Sequence, residues 1–193
     1  MEDKLLVAKT LLKCYPHLDD LYEALTESTR SCVASGFYAL YPIEQMRLYE
    51  RINEYENRKL GLYNMKYLIN QSLQNGRSVS VSLLKEKFIN HLSMKDLMEK
   101  YCVCMRTCYR YLIKGLADFA SEMEKLGYDK KKVLIEFGNE PLFQTMLTRV
   151  IKEDDAEIRE ESNRKREEVS PHRRHPYYFC YGSFSEGGRA RRE

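Results

Sequence analysis

The sequence predicts an all-α fold, on three observations. Apolar residues recur at three- and four-residue steps through most of the 193-residue chain, the period of one helix face. No segment shows the sustained two-residue alternation of a half-buried strand. The strong turn formers Pro16, Gly36, Pro42, Asn75-Gly76 and Gly127 mostly punctuate the periodic segments.

The first stripe, Leu5, Leu6, Ala8, Leu11 and Leu12, predicts a helix from Asp3 to Tyr15 stopped by Pro16. A second, Leu18, Leu21, Tyr22, Leu25, Cys32 and Val33, ends near Gly36, and Phe37 to Tyr41 form a short connection. Residues 1–41 are expected to form a helical hairpin or cap. Pro42 suits the first turn of a long helix reaching about Leu73, with Leu48, Ile52, Tyr55, Leu62, Ile69 and Leu73 in its seam. Lys59 and Lys66 stand at seam positions where a two-stranded coiled coil wants apolar residues, which favours a helix folded back on its own domain over a coiled coil. Gly61 is a place where this helix can bend, because an interior glycine costs ~1 kcal/mol against alanine. The tyrosines between Gly36 and Tyr101 (Tyr38, Tyr41, Tyr49, Tyr55, Tyr63, Tyr67 and Tyr101) are read as core and helix-packing residues.

After Asn75-Gly76, Leu83, Leu84, Phe88 and Ile89 predict a helix from Ser80 to Leu92. Ser93 is a natural N-cap with Asp96 three residues on, so a short helix runs from Met94 to Tyr101 and turns Leu97, Met98 and Tyr101 inward. The turn is Cys102-Val103-Cys104, with Val103 as an apolar plug. A longer helix follows to Leu126, capped by Gly127, with Cys108, Tyr111 or Leu112, Gly115 and Leu116 toward the core. Shorter helices are expected at Lys130 to Phe137 and Glu140 to Ile151, making residues 128–152 the end of the folded part. Residues 153–193 begin with a stretch that is almost all charge, read as a solvated helix or disordered linker, and end in a flexible basic tail.

Function is read from the pair Met94–Tyr101 and Cys104–Leu126. The outer face of the second helix offers Met105, Arg106, Tyr109, Arg110, Ile113 and Lys114, with Thr107 near the helix start, and the sequence from Tyr101 to Ala117 contains no acid. Such a pair places side chains in the major groove of double-stranded DNA. Arg106 and Arg110 can fork onto guanine or grip phosphate, and Tyr109 can contact a thymine methyl or donate to a phosphate. Thr107 is placed to meet the duplex backbone, while Lys114 and Lys130-Lys131-Lys132 add sequence-blind attraction. Charge distribution agrees: the chain carries only +3 overall, but Lys85 to Lys132 holds 11 Lys and Arg against 7 Asp and Glu.

The stretch FINHLSMKDLMEKYCVCMRTCYRYLIKGLADFASEMEKLG resembles region 4 of sigma factors, and still more the sigma-like phage and Gram-positive regulators of the ArpU and RinA type. Phe88, Ser93, Leu97, Val103, Arg106, Thr107, Tyr109, Arg110, Leu116 and Phe119-Ala120 carry the likeness, and RINEYENRKLGLYNMKYLINQSL resembles the helical lead-in of such proteins. The likeness covers roughly residues 43–127. It departs at Met98, Cys102 and Cys104, where the family favours Ala, Gly and Ser. It implies a helix-turn-helix of sigma region 4 type within residues 42–127, sequence-specific double-stranded DNA binding in transcription control, and contact with RNA polymerase. The alternative is a helical protein-interaction module, a homodimer or polymerase-binding surface without specific DNA readout.

Other classes are disfavoured. No apolar run approaches the ~20 residues needed to cross a bilayer, and MEDKLLVAKTLLK lacks a signal-peptide pattern, so a cytoplasmic protein without membrane contact is expected. The six cysteines are read as reduced thiols. Cys102, Cys104 and Cys108 with His91 lack the second ligand pair of a structural zinc site, and Cys108 is needed in the core, so no metal or other cofactor is expected. His172, His175 and Cys180 in the tail suggest at most an adventitious site. Tyr177-Tyr178-Phe179 beside Arg173-Arg174 could stack single-stranded bases, but the tail is more simply flexible. No P-loop, dinucleotide loop or nucleophile motif occurs, and Glu23, Glu27, Glu50 and Glu54 read as a solvated helix face, so catalysis is not expected.

Overall fold

The computed structural model describes residues 3–36, 41–76 and 78–169, and all regular structure among them is helical. Eight α-helices follow in order: α1 Asp3–Cys14, α2 Leu18–Gly36, α3 Pro42–Asn75, α4 Val79–Phe88, α5 Met94–Tyr101, α6 Met105–Lys125, α7 Lys130–Phe137 and α8 Pro141–Val169. Phe37 to Leu40 of the expected connection and the tail from residue 170 lie outside the described residues.

Residues up to Asp155 form one compact unit. The segments expected as a cap, a lead-in with its helix pair, and trailing helices therefore share one core. Leu11 and Leu12 of α1, Met65 and Ile69 of α3, Phe119 and Met123 of α6, Phe137 of α7 and Phe143 of α8 meet there, most of them with almost no exposed surface. Over Ala156–Glu193 the described backbone is helical to Val169. A helix is one of the two readings left open for the charged stretch after Lys152, and the backbone follows it to Val169. Nearer the core, Lys9 donates to Asp154 at 2.7 Å and Lys13 pairs with Glu153.

As expected, α1 stops ahead of Pro16, which sits in a single 3-10 turn, Tyr15–His17, between α1 and α2. Proline tolerates this place because its missing N–H would be unsatisfied at a helix start in any case. α2 runs antiparallel along α3, and the two seam lysines face it: Lys66 donates to Asp19 at 2.5 Å and Lys59 lies over the Tyr22 ring at 5.8 Å from its centre. The lysines that spoil a coiled-coil seam therefore make polar contacts within the hairpin. α3 continues unbroken through Gly61.

Three expectations are corrected. Tyr41, Tyr49, Tyr63 and Tyr67 are exposed instead of packed, because the buried side of α3 is Leu62, Met65, Leu68, Ile69, Ser72 and Leu73, and none of its side chains before Leu62 is buried. Of that group's described members, Tyr55 and Tyr101 are half-buried, and Tyr38 lies outside the described residues. Tyr22 and Val33 of the α2 stripe are likewise exposed. α4 ends at Phe88 and not at Leu92; the chain then turns through His91, with φ of 55°, so that Leu92 and Met94 reach the second apolar cluster.

Candidate nucleic-acid interface

The region begins with α4, whose N-cap Ser78 accepts from the Val81 backbone N–H at 3.2 Å and donates to Asp118 of α6 at 3.0 Å. α4 lies against α6, with Val81 and Leu84 in the main core and Leu83 turned to the second cluster. The approach is close enough that a Cβ on Gly115 would stand 2.4 Å from the Ser80 carbonyl oxygen.

α5 starts with a complete capping box: the Ser93 hydroxyl accepts from the Asp96 N–H at 3.2 Å, and the Asp96 carboxylate accepts from the Ser93 N–H at 3.0 Å. Ser93, side chain first and then backbone, holds the Asp96 carboxyl below the usual aspartate range. The helix ends on Cys102 in the left-handed conformation, φ 50° and ψ 43°. The Val103 N–H donates to the Met98 carbonyl at 3.1 Å and the Cys102 N–H to that of Glu99 at 3.3 Å. This is the Schellman pattern, in which a left-handed residue lets two orphan carbonyls find donors. A cysteine stands where glycine is easiest, and Val103 folds back onto the cluster of Leu83, Leu97 and Cys108.

Cys104 then caps α6 in extended conformation. Its sulfur lies 3.3 Å from the Thr107 hydroxyl. That contact, with the Thr107 and Arg106 backbone N–H groups, lowers the Cys104 thiol pKa. Thr107 is half-buried, with its hydroxyl against that sulfur. Cys108 is fully buried, whereas Cys102 and Cys104 are exposed. Among the described residues no group of three or more His, Cys, Asp or Glu converges in the manner of a metal site.

The six outward residues expected on α6, Met105, Arg106, Tyr109, Arg110, Ile113 and Lys114, are all exposed. They form two adjacent stripes at four-residue spacing. Met105, Tyr109 and Ile113 are 49%, 51% and 63% exposed, beside the cations Arg106, Arg110 and Lys114. Core burial on α6 is concentrated from Gly115 onward, at Gly115, Leu116, Phe119, Ala120 and Met123, so its first turns project from the main core on the small cluster beneath. The sequence places Ile113 on this face with the cations, and its exposure agrees. The lysine run behaves differently: it opens α7, capped by Asp129, and Lys132 lies over the Tyr128 ring at 4.2 Å from its centre.

Comparison of the chain with protein-family models, with curated proteins and with solved structures found no match. Among the described residues no helix is long and apolar enough to cross a membrane.

Proposed function

We propose that this protein binds double-stranded DNA through the N-terminal half of α6, as a transcriptional regulator with a helix-turn-helix of sigma region 4 type. The observation that carries the reading is the exposed double stripe on α6. Arg106 and Arg110 supply planar forks for guanine or phosphate, and Met105, Tyr109 and Ile113 supply apolar surface for thymine methyls. Neither guanidinium has a carboxylate partner among the described residues, so no ion pair must break when DNA arrives. α5 would then cross the backbone while α6 lies in the groove. Sequence-specific readout, cytoplasmic location and contact with RNA polymerase belong to the same proposal, and the likeness to sigma-like phage and Gram-positive regulators supports them.

Selection from random duplexes, followed by gel shifts of the wild type and an Arg106→Ala/Arg110→Ala variant, tests it. An enriched motif whose binding the double variant loses is the expected result. No enrichment, together with equal binding by both proteins, overturns the proposal.

A second reading, a protein-interaction module that homodimerises or docks on polymerase, is favoured by the uncovered side of α3. Ile43, Met46, Tyr49, Leu60, Tyr63 and Tyr67 are all exposed there. A solution mass of one chain at micromolar concentration would remove the homodimer from it.

A further inference from the structure

We propose that the cleft between α1, α4 and α8 is a binding site for a phosphate group. It is a cavity of about 290 Å³ lined by Lys13, Pro16, His17, Lys87, Phe88, His91, Met146 and Arg149. Its five basic side chains come from five places in the chain: the last turn of α1, the 3-10 turn, the last turn of α4, the α4–α5 link and α8. No carboxylate lines it. Phe88 and Met146 supply apolar wall.

The charge balance favours an anion. Glu153 is the nearby acid, and it accepts from Lys13 and, at 3.4 Å, from Nε of Arg149. That pairing orients two of the cations and uses one guanidinium nitrogen, leaving the fork of Arg149 its terminal donors. Lys87 makes a 3.4 Å contact to the Leu92 carbonyl and has no carboxylate partner among the described residues. Three fixed positive charges thus face one negative charge before either imidazole is counted. Complementing helix dipoles accounts for Lys13 and Lys87, each at a helix C-terminus. It does not account for His17, His91 and Arg149 opening into the same cavity. The volume is at the lower limit of small-molecule sites, so the occupant is a phosphate carrying at most a small substituent.

Phosphate chemistry has two sources here, a free phosphorylated compound or one phosphodiester of a bound duplex, and one set of variants separates them. His91→Gly removes an imidazole at a left-handed position that glycine adopts without strain, and Lys87→Met keeps the apolar stem. The full-length protein and the double variant are titrated calorimetrically with inorganic phosphate and with a nucleoside monophosphate at constant ionic strength. Circular dichroism verifies the fold. In parallel, duplex binding is followed against salt. Saturable binding of the free anion, weakened about tenfold or more in the double variant with duplex binding unchanged, assigns a small-molecule site. A salt slope reduced by about one in the variant, without free-anion binding, assigns a backbone contact. Neither effect, or anion binding that survives both substitutions, overturns the proposal. The calorimetric arm needs no DNA, so it stands or fails apart from the reading of α6, which Arg106→Ala/Arg110→Ala tests.

Discussion

Gly115 of α6 rests against the backbone of Ser80 in α4, where an added Cβ would come within 2.4 Å of the Ser80 oxygen and 2.8 Å of its carbonyl carbon. Both contacts are to backbone, which cannot rotate aside as a side chain can. Gly115→Ala therefore has to separate the two helices, although alanine favours an isolated helix by about 1 kcal/mol. We expect a net loss of about 1–3 kcal/mol, the usual result of overpacking. Chemical denaturation checks it; a more stable variant would mean that α4 and α6 do not meet this closely.

Cys102 holds a left-handed turn that costs a residue with a Cβ about 1–2 kcal/mol. Cys102→Gly removes that strain but adds freedom to the unfolded chain. A gain of about 0.5–1 kcal/mol is expected, seen as a rise of a few degrees in melting temperature. A fall would show that the thiol contributes more than the backbone loses.

These two positions show how far the sequence could be read. The bounds of α5 and the start of α6 are legible because each is marked chemically: Ser93 with Asp96, and the apolar Val103 in its turn. The Schellman bond from Tyr128 to Met123 likewise explains why Gly127, with φ of 82°, closes α6 as expected. What lacked a chemical mark was misread. A helical period marks apolar stripes but not which stripe a partner covers, so Tyr49, Tyr63 and Tyr67 were placed inside. The charge of residues 153–169 left helix and disordered linker both open, because a stretch with no apolar period does not separate them. The close approach at Gly115 is a relation between two backbones, and one strand of sequence does not display it.

If α6 reads DNA, Arg106→Ala and Arg110→Ala should each weaken a specific site by about 1–3 kcal/mol where the guanidinium forks onto a base. Stability should change by less than about 0.5 kcal/mol, because both side chains are exposed. Fluorescence anisotropy on the selected duplex and thermal melts of the same samples give the two quantities. A large drop in melting temperature would move these arginines from recognition to structure.

Asp96 makes the stability of α5 depend on acid. Ser93 holds its folded carboxyl below the ordinary value near 4, so the capping contribution is fully present above that pH. It fades as pH falls through the lower folded value. Asp96→Asn, which keeps an acceptor but cannot titrate, should lose less stability than the wild type between about pH 5 and pH 2. Parallel curves from denaturant melts across that range would exclude a charged cap.

The thiols should react in a set order. Burial, with a further push from Glu140, raises the Cys14 thiol to about 12, and burial also raises that of Cys108. Cys104 is exposed and lowered by Thr107. Brief alkylation of the native protein followed by peptide mapping should find Cys104 modified well before Cys14 and Cys108. Thr107→Val should slow it. Early labelling of Cys108 would mean that the small cluster opens readily.

α6 is one rod of 21 residues, held near one end by Phe119 and Met123 and presenting Arg106 near the other. From Met123 to Arg106 the rise is about 25 Å at 1.5 Å per residue. Pivoting the anchored end by only ~5° would swing the far tip by about 2 Å, enough to take a guanidinium out of hydrogen-bond range of a base. Small repacking deep in the molecule is thereby magnified at the exposed tip, and if α6 reads DNA, a substitution remote from the duplex would alter sequence preference without touching it.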